Sequence, residues 1–159
     1  MSLSEFELIE RYFASSYTGD DGAVVPIPPG MTRVGVSETV TANSPNINTD
    51  HPISVGHRVL STALNKLAAL GATPSWMTLA LTLSEVHESW LEPFSEGLLT
   101  LASRFDVNLI GGDTTQGPLT ITIMLDGLVP TGEGPRIPQP DDLLCISGSL
   151  ASAANALIA

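Results

Sequence analysis

Cysteine and basic residues are scarce in this sequence, and their scarcity excludes several kinds of protein. Cys145 is the only cysteine, so one chain can form neither an internal disulfide nor a cysteine-based zinc site. Six basic residues stand against 17 acidic ones, and the formal charge of -11 repels phosphate backbones and anionic membrane surfaces. We therefore expect neither nucleic acid nor a membrane as a partner.

Long apolar runs are also missing. No stretch reaches the length of a membrane span, and the N-terminus alternates acidic with apolar residues and has no basic region typical of a signal peptide. A lone cysteine fits a reducing compartment. These features predict a cytoplasmic protein.

The length and composition bound the number of domains. A chain of 159 residues can form one well-packed domain but not two ordinary ones, and 43% apolar with 14% charged residues is typical of a globular interior. Residues 1–130 are the predicted N-terminal domain. Residues 131–142 have the composition of a linker, and residues 143–159 are expected to start a truncated C-terminal domain.

Apolar spacing and capping residues predict three helices in the first part of the chain. Ser4 can cap a helix that runs to Phe13, the apolar periodicity of Ile53–Leu70 ends at Gly71, and Ser84 opens a helix through Phe105. A further helix is predicted over Leu150–Ala159.

Short apolar runs bounded by turn residues predict the strands. Ala23–Ile27 and Arg33–Val40 resemble a hairpin, and the segment Thr41–Pro52 is predicted to be a long mobile loop with few apolar anchors. The remaining predicted strands are Trp76–Leu83, Val107–Ile110, Leu119–Val129 and Leu143–Ser147. Cys145 is therefore expected to be an inert core thiol.

Two acidic, glycine-rich stretches have the chemistry of a phosphate or metal site. Gly19-Asp20-Asp21 offers adjacent carboxylates that suit Mg²⁺, although the pair of acids taken alone favours an acidic turn. Gly111-Gly112-Asp113-Thr114 can bring backbone N–H groups to a phosphate, or it can be a simple turn. Each stretch alone leaves both alternatives open.

Taken in order, several motifs make the sequence resemble the thiamine-phosphate kinase family, part of the aminoimidazole ribonucleotide synthetase-like superfamily. The matching stretches are SEFELIERYF, TGDDGAVV, PPGM, LAALGATPSWMTLALTL, WLEPF, LIGGDTTQGPLTITI and PDDLLCISGSLASAANAL. The resemblance implies an α+β sandwich, in which a mixed sheet is flanked by helices and dimerises through the sheet. The edges expected to be covered in a homodimer are Val34–Val40 and Leu119–Val129.

The resemblance also implies an activity: Mg²⁺-dependent transfer of the γ-phosphoryl of ATP to thiamine monophosphate, which yields thiamine diphosphate. The implied metal ligands are Asp20, Asp21, Asp113 and Glu38, and the implied nucleotide-binding residues are Gly111, Gly112, Thr114 and Thr39. The alternative function is a non-catalytic or engineered dimerisation scaffold that has lost metal binding. A third possibility is a sibling enzyme that acts on another small phosphate or amine.

Departures from the family pattern fall on the implied metal site. Glu38 stands where the family has an aspartate, so its carboxylate is displaced by about one methylene, and Lys66 stands where a metal-binding aspartate is expected. An ammonium at this position can pair with Asp20, Asp21 or Asp113 in place of the metal, or it can face solvent.

The other candidate residues have structural explanations. His51, His57 and His87 are not spaced as metal ligands. Trp76 and Trp90 are expected to be core or dimer-interface aromatics.

Overall fold

The computed structural model describes residues 5–14, 23–45, 47, 50–135, 137–146 and 148–149. The helices and strands of this part of the chain are α1 (Glu5–Tyr12), β1 (Met31–Thr41), α2 (Pro52–Ala69), β2 (Thr73–Leu83), α3 (Glu88–Arg104), β3 (Asn108–Gln116) and β4 (Thr120–Pro130). None of these helices is long and apolar enough to cross a bilayer.

The four strands form one mixed sheet in the order β1-β4-β2-β3. β4 pairs antiparallel with β1 and β2, whereas β2 and β3 are parallel and are joined through α3. α2 and α3 pack against each other, and α2 also contacts β1, β4 and β2. The predicted α+β class, a mixed sheet flanked by helices, is confirmed.

The core lies between the sheet and the helices. Alternate residues of β4, Ile121, Ile123 and Leu125, are completely buried against the helix layer, because successive side chains of a strand point to opposite faces. Val59 and Leu60 of α2 are equally buried. The intervening residues of β4 point the other way, onto what we call the open face of the sheet.

Two glycines let α2 and α3 approach closely. A Cβ atom at Gly56 would lie 2.2 Å from the carbonyl oxygen of Phe94, and one at Gly97 would lie 2.1 Å from that of Ile53. Since real Cβ atoms do not tolerate such contacts, only glycine permits this separation of the two backbones.

Several predicted strands differ from the structure. The hairpin is wrong: β1 pairs with β4, and residues 23–28 contain no strand. Prolines at 26, 28 and 29 explain this, because they lack the N–H donors that a second strand needs. β4 is a central strand, so the edges available for dimerisation belong to β1 and β3 and not to Leu119–Val129.

The start of α3 and the C-terminal segment also differ. α3 begins at Glu88 and not at Ser84, with His87 at its N-cap position and Pro93 inside the helix. Residues 143–146 form no strand, and Cys145 is exposed, so the core-thiol prediction is wrong. The predicted helix Leu150–Ala159 lies outside the described residues, and the division into domains stays a prediction.

Candidate functional site

Asp113 and Thr39 lie on the open face, in one row that crosses all four strands. In register order the row is Thr39, Thr122, Ala80 and Asp113. Residues paired directly across strands share a face, and Thr39 and Thr122 confirm this with a hydroxyl–hydroxyl distance of 2.9 Å. The Asp113 side chain is exposed there and is accessible to a ligand.

A row of threonines adjoins the row of Asp113. Its members, one from each strand, are Thr41, Thr120, Thr82 and Thr115. The Thr82 and Thr115 hydroxyls lie 2.8 Å apart. Sequence reasoning missed this surface, although the alternation of Thr39 with Thr41 and of Thr120 with Thr122 was a signal for it.

Glu38 points to the opposite face, where Lys66 of α2 binds it. The Lys66 ammonium lies 2.5 Å from Glu38 Oε2 and donates a second hydrogen bond to the Ser37 carbonyl oxygen at 2.9 Å. The Glu38 side chain is only 18% exposed, against 48% for Lys66. Lys66 therefore pairs with the implied ligand Glu38, a partner that the sequence-based alternatives did not include.

The two faces separate Glu38 from Asp113. Glu38 is in register with Ile123, Leu79 and Gly112, so three strand spacings of about 4.8 Å, about 14 Å in all, lie between the strands of the two carboxylates. Asp20 and Asp21 lie outside the described residues. Within the described residues, no group of three or more histidine, cysteine or acidic side chains is close enough to hold a metal ion.

The Gly-Gly-Asp-Thr stretch lies inside β3 and not in a turn after it. Gly112 has a packing reason to be glycine, because a Cβ atom there would lie 1.9 Å from the Leu79 carbonyl oxygen. Gly111 has φ +158° and nothing within 4 Å of a hypothetical Cβ, so its backbone is open to a close approach. Thr114 is half-buried and in register with Leu81.

A second ion pair, Arg33–Asp126, lies on the open face, opposite to the Lys66–Glu38 pair. Arg33 donates from Nε to Asp126 Oδ1 at 2.8 Å and from Nη2 to Oδ2 at 2.9 Å. The side-chain hydrogen bond and then the charge of Asp126 raise the pKa of Arg33, outweighing the smaller, opposite effect of burial. Gly35 leaves space for this buried carboxylate, since a Cβ atom there would lie 2.6 Å from Asp126 Oδ1.

The segment between β1 and α2 is anchored at several points. Ile47 is 2% exposed, so the prediction of few apolar anchors missed one. Asp50 forms an ion pair with Arg58, and His51 caps α2 by accepting from the Ile53 N–H at its Nδ1. Asp50 and His51 thus tie the end of this segment to α2.

Known proteins place this arrangement in a family. The family model described as AIR synthase related protein, N-terminal domain, matches residues 19–129. The thiamine-monophosphate kinase of Salmonella typhimurium is 38% identical over 99% of this chain and 52% of its own length. The chain thus spans about half the length of the curated relatives it matches.

Solved structures agree with the sequence comparison. The crystal structure of thiamine-monophosphate kinase from Stenotrophomonas maltophilia K279a is 36% identical, with a TM-score of 0.72 over 84% of this chain and 45% of that one. AaThiL complexed with AMPPCP and TMP shares the fold at 23% identity, with a TM-score of 0.62 over 79% of this chain and 42% of that one. The resemblance deduced from the motifs is confirmed. The chain belongs to the family of AIR synthase related protein N-terminal domains.

Proposed function

We propose that this chain is the nucleotide- and metal-binding part of a cytoplasmic thiamine-phosphate kinase. The reaction transfers the γ-phosphoryl of ATP to the phosphate of thiamine monophosphate and forms thiamine diphosphate. The observation that carries this proposal is the 38% identity to thiamine-monophosphate kinases over 99% of the chain. The same identity argues against the scaffold alternative, since those relatives are named as kinases.

The open face offers the groups that phosphoryl transfer needs from a protein, which are positioned donors and oxygen ligands. Asp113 is exposed on the strand that also carries Gly111, whereas Thr114, in register with the buried Leu81, points to the helix-facing side of the sheet. Gly111 is the better candidate for close approach of a phosphate, because Gly112 is already required by its contact with Leu79. Thr39 offers a hydroxyl in the same row as Asp113, and its bond with Thr122 fixes that hydroxyl.

Magnesium fits part of the implied ligand set. Asp113 supplies hard oxygen donors on an accessible face, and Asp20 and Asp21 supply the same chemistry. Glu38 fits less well, because its carboxylate is bound by Lys66 and lies on the face of the sheet opposite Asp113. Bound Mg²⁺ would neutralise the phosphate charges during transfer.

A homodimer formed through the sheet is part of the proposal. β1 is an edge strand of 11 residues, and long exposed edges are normally covered in native proteins. Joining two such sheets at their edges would turn the open faces toward a shared interior. Met124, 51% exposed in the middle of the open face, would then be buried.

Phosphoryl transfer is tested by incubating the protein with ATP, Mg²⁺ and thiamine monophosphate and separating the products by chromatography. We expect thiamine diphosphate with the wild-type chain and none with Asp113→Asn. Replacing thiamine monophosphate with other small phosphates or amines tests the sibling-enzyme possibility. Formation of ADP with one of those substrates alone would contradict the proposed substrate.

A further inference from the structure

Lys66 binds two oxygen atoms that belong to neighbouring residues of β1. Its ammonium donates to the Ser37 carbonyl oxygen at 2.9 Å and to Glu38 Oε2 at 2.5 Å. A backbone carbonyl and a carboxylate are oxygen ligands that divalent cations such as Mg²⁺ and Ca²⁺ also take in proteins. The ammonium therefore lies where two ligands of the kind used for a metal ion converge.

The packing of α2 on β1 fixes the position of these groups. Glu38 is in register with Ile123 of the central strand β4, which is completely buried, and the Glu38 side chain itself is only 18% exposed. Lys66 lies in the last turn of α2, next to the buried Leu67. The two oxygens and the helix that carries Lys66 thus belong to elements held in place by the core.

The length of the lysine side chain matches that of an ion held by a shorter acidic side chain. The lysine nitrogen is two bonds further from its Cα atom than an aspartate oxygen is, and this difference is close to one metal–oxygen bond of about 2.1 Å. An ion bound to an aspartate at position 66 would therefore lie about where the Lys66 nitrogen lies. Glu38 and the Ser37 carbonyl oxygen would complete a set of three protein ligands.

A lysine ammonium and a divalent ion differ in charge and in exchange. The ammonium carries one positive charge, stays attached to the chain and neutralises Glu38, which would otherwise attract a divalent ion. A magnesium ion carries two charges and keeps water ligands that a phosphate oxygen can replace. The ammonium can hold α2 against β1, but it offers no exchangeable coordination position.

We propose that Lys66 is a tethered cation that takes the place of a divalent ion between α2 and β1. The chain then binds one ion fewer than the ligand set implied by the family resemblance, and Glu38 has a structural role. The inference rests on the proposed function for the identity of that set. It concerns the helix-facing side of the sheet, however, whereas Asp113 lies on the open face.

Counting the Mn²⁺ ions bound to the chain tests the proposal directly. Mn²⁺ takes the same oxygen ligands as Mg²⁺, and the EPR signal of the free ion gives the number bound. The titrations are run at about 0.15 M salt, which screens the acidic surface. Glu38→Gln keeps the side-chain length and can still accept from Lys66, so we expect as many bound ions as in the wild type. Loss of one ion in Glu38→Gln overturns the proposal.

A carboxylate at position 66 should create the site that Lys66 replaces. Lys66→Asp should bind one Mn²⁺ more per chain than the wild type, and combining it with Glu38→Gln should remove that ion again. Arg104→Asp makes the same change of charge at the exposed end of α3 and should bind no additional ion. A folded Lys66→Asp variant that gains no ion, or an equal gain in Arg104→Asp, overturns the proposal.

Two further variants separate the inference from protein folding and from the kinase proposal. Lys66→Glu offers the same group on a longer side chain and is measured beside Lys66→Asp; if neither folds, the count in Glu38→Gln decides. Asp113→Asn should lose an ion if the metal site of the proposed function is correct. An unchanged count in Asp113→Asn, with an ion gained in Lys66→Asp, contradicts that metal site and leaves the assignment of Lys66 intact. No Mn²⁺ bound to the wild type or to the acidic variants contradicts both.

Discussion

The Lys66 ammonium of α2 lies 2.5 Å from Glu38 Oε2 of β1. One of the carboxylates implied as metal ligands is therefore already bound by a cationic side chain. A metal ion and Lys66 cannot both bind that oxygen. The charge of Lys66 should therefore reduce the affinity of the site for Mg²⁺.

Replacing Lys66 should strengthen magnesium binding. Lys66→Met keeps the aliphatic stem and frees Glu38, so the Mg²⁺ concentration needed for AMPPCP binding should fall about fivefold, equivalent to about 1 kcal/mol for a partly exposed pair. Arg104→Met removes a positive charge at the end of α3 and is the control. An unchanged magnesium midpoint in Lys66→Met would show that Glu38 takes no part in metal binding.

The space at Gly35 should be essential for the Arg33–Asp126 pair. Gly35→Ala places a Cβ atom 2.6 Å from Asp126 Oδ1, a buried oxygen already held by Arg33. We expect a loss of about 1–3 kcal/mol in the free energy of unfolding, measured by urea denaturation. Gly134→Ala, where nothing lies within 4 Å, should be close to neutral. Equal stability of both variants would mean that the carboxylate moves without cost.

The contribution of Arg33 to stability should not depend on pH near neutrality. Its pKa is raised by the hydrogen bond and charge of Asp126, so the stabilisation is complete below the unfolded-state pKa. It is lost only when the pH rises through the still higher folded-state value. Arg33→Met should therefore reduce the unfolding free energy equally at about pH 6 and about pH 9. A cost that disappears within this range would contradict the assigned cause.

The crossing of α2 and α3 should not tolerate a side chain at Gly97. Alanine normally stabilises a helix relative to glycine by about 1 kcal/mol, but here its Cβ atom would meet the Ile53 carbonyl oxygen at 2.1 Å. A backbone carbonyl cannot relieve the clash by changing rotamer as a side chain can. Gly97→Ala should therefore lower the free energy of unfolding by about 3 kcal/mol or more, measured by thermal and urea denaturation. Glu96→Ala, an exposed neighbour on α3, is the control. A stabilised Gly97→Ala would refute the close crossing.

Dimerisation through the sheet predicts a sedimentation mass of twice 16.6 kDa. Met124→Lys introduces a charge in the middle of the open face and should give monomers, because burying an unpaired ammonium is costly. Ala68→Lys, on the exposed side of α2, should leave the dimer intact. A wild-type monomer, or a Met124→Lys dimer as stable as the wild type, would contradict the arrangement.

The sequence predicted those secondary-structure elements that depend on residues close together in the chain. The apolar spacing of Val55, Val59 and Leu60 gave α2 to within a residue of its observed bounds. Gly111 and Gly112 favoured the end of a strand by local propensity, yet pairing with Thr78 and Leu79 of β2 continues β3 through both. Strand pairing overrode the preference of glycine for turns.

Long-range partners could not be deduced from the sequence. Glu38 and Lys66 are 28 residues apart, and which carboxylate receives the ammonium depends on how α2 packs on β1. The threonine row depends in the same way on the registers of four strands. The motifs predicted which residue types form the site, and the sheet determines which of them share a face.

Calorimetric titration of AMPPCP into the chain, with and without Mg²⁺, tests the central claim most directly. The kinase proposal predicts saturable heat only with Mg²⁺, and its loss in Asp113→Asn but not in Asp106→Asn, which removes a charge at another exposed site and keeps a residue type that accepts positive φ. No heat with Mg²⁺ and millimolar AMPPCP, or equal heat in Asp113→Asn, would contradict it.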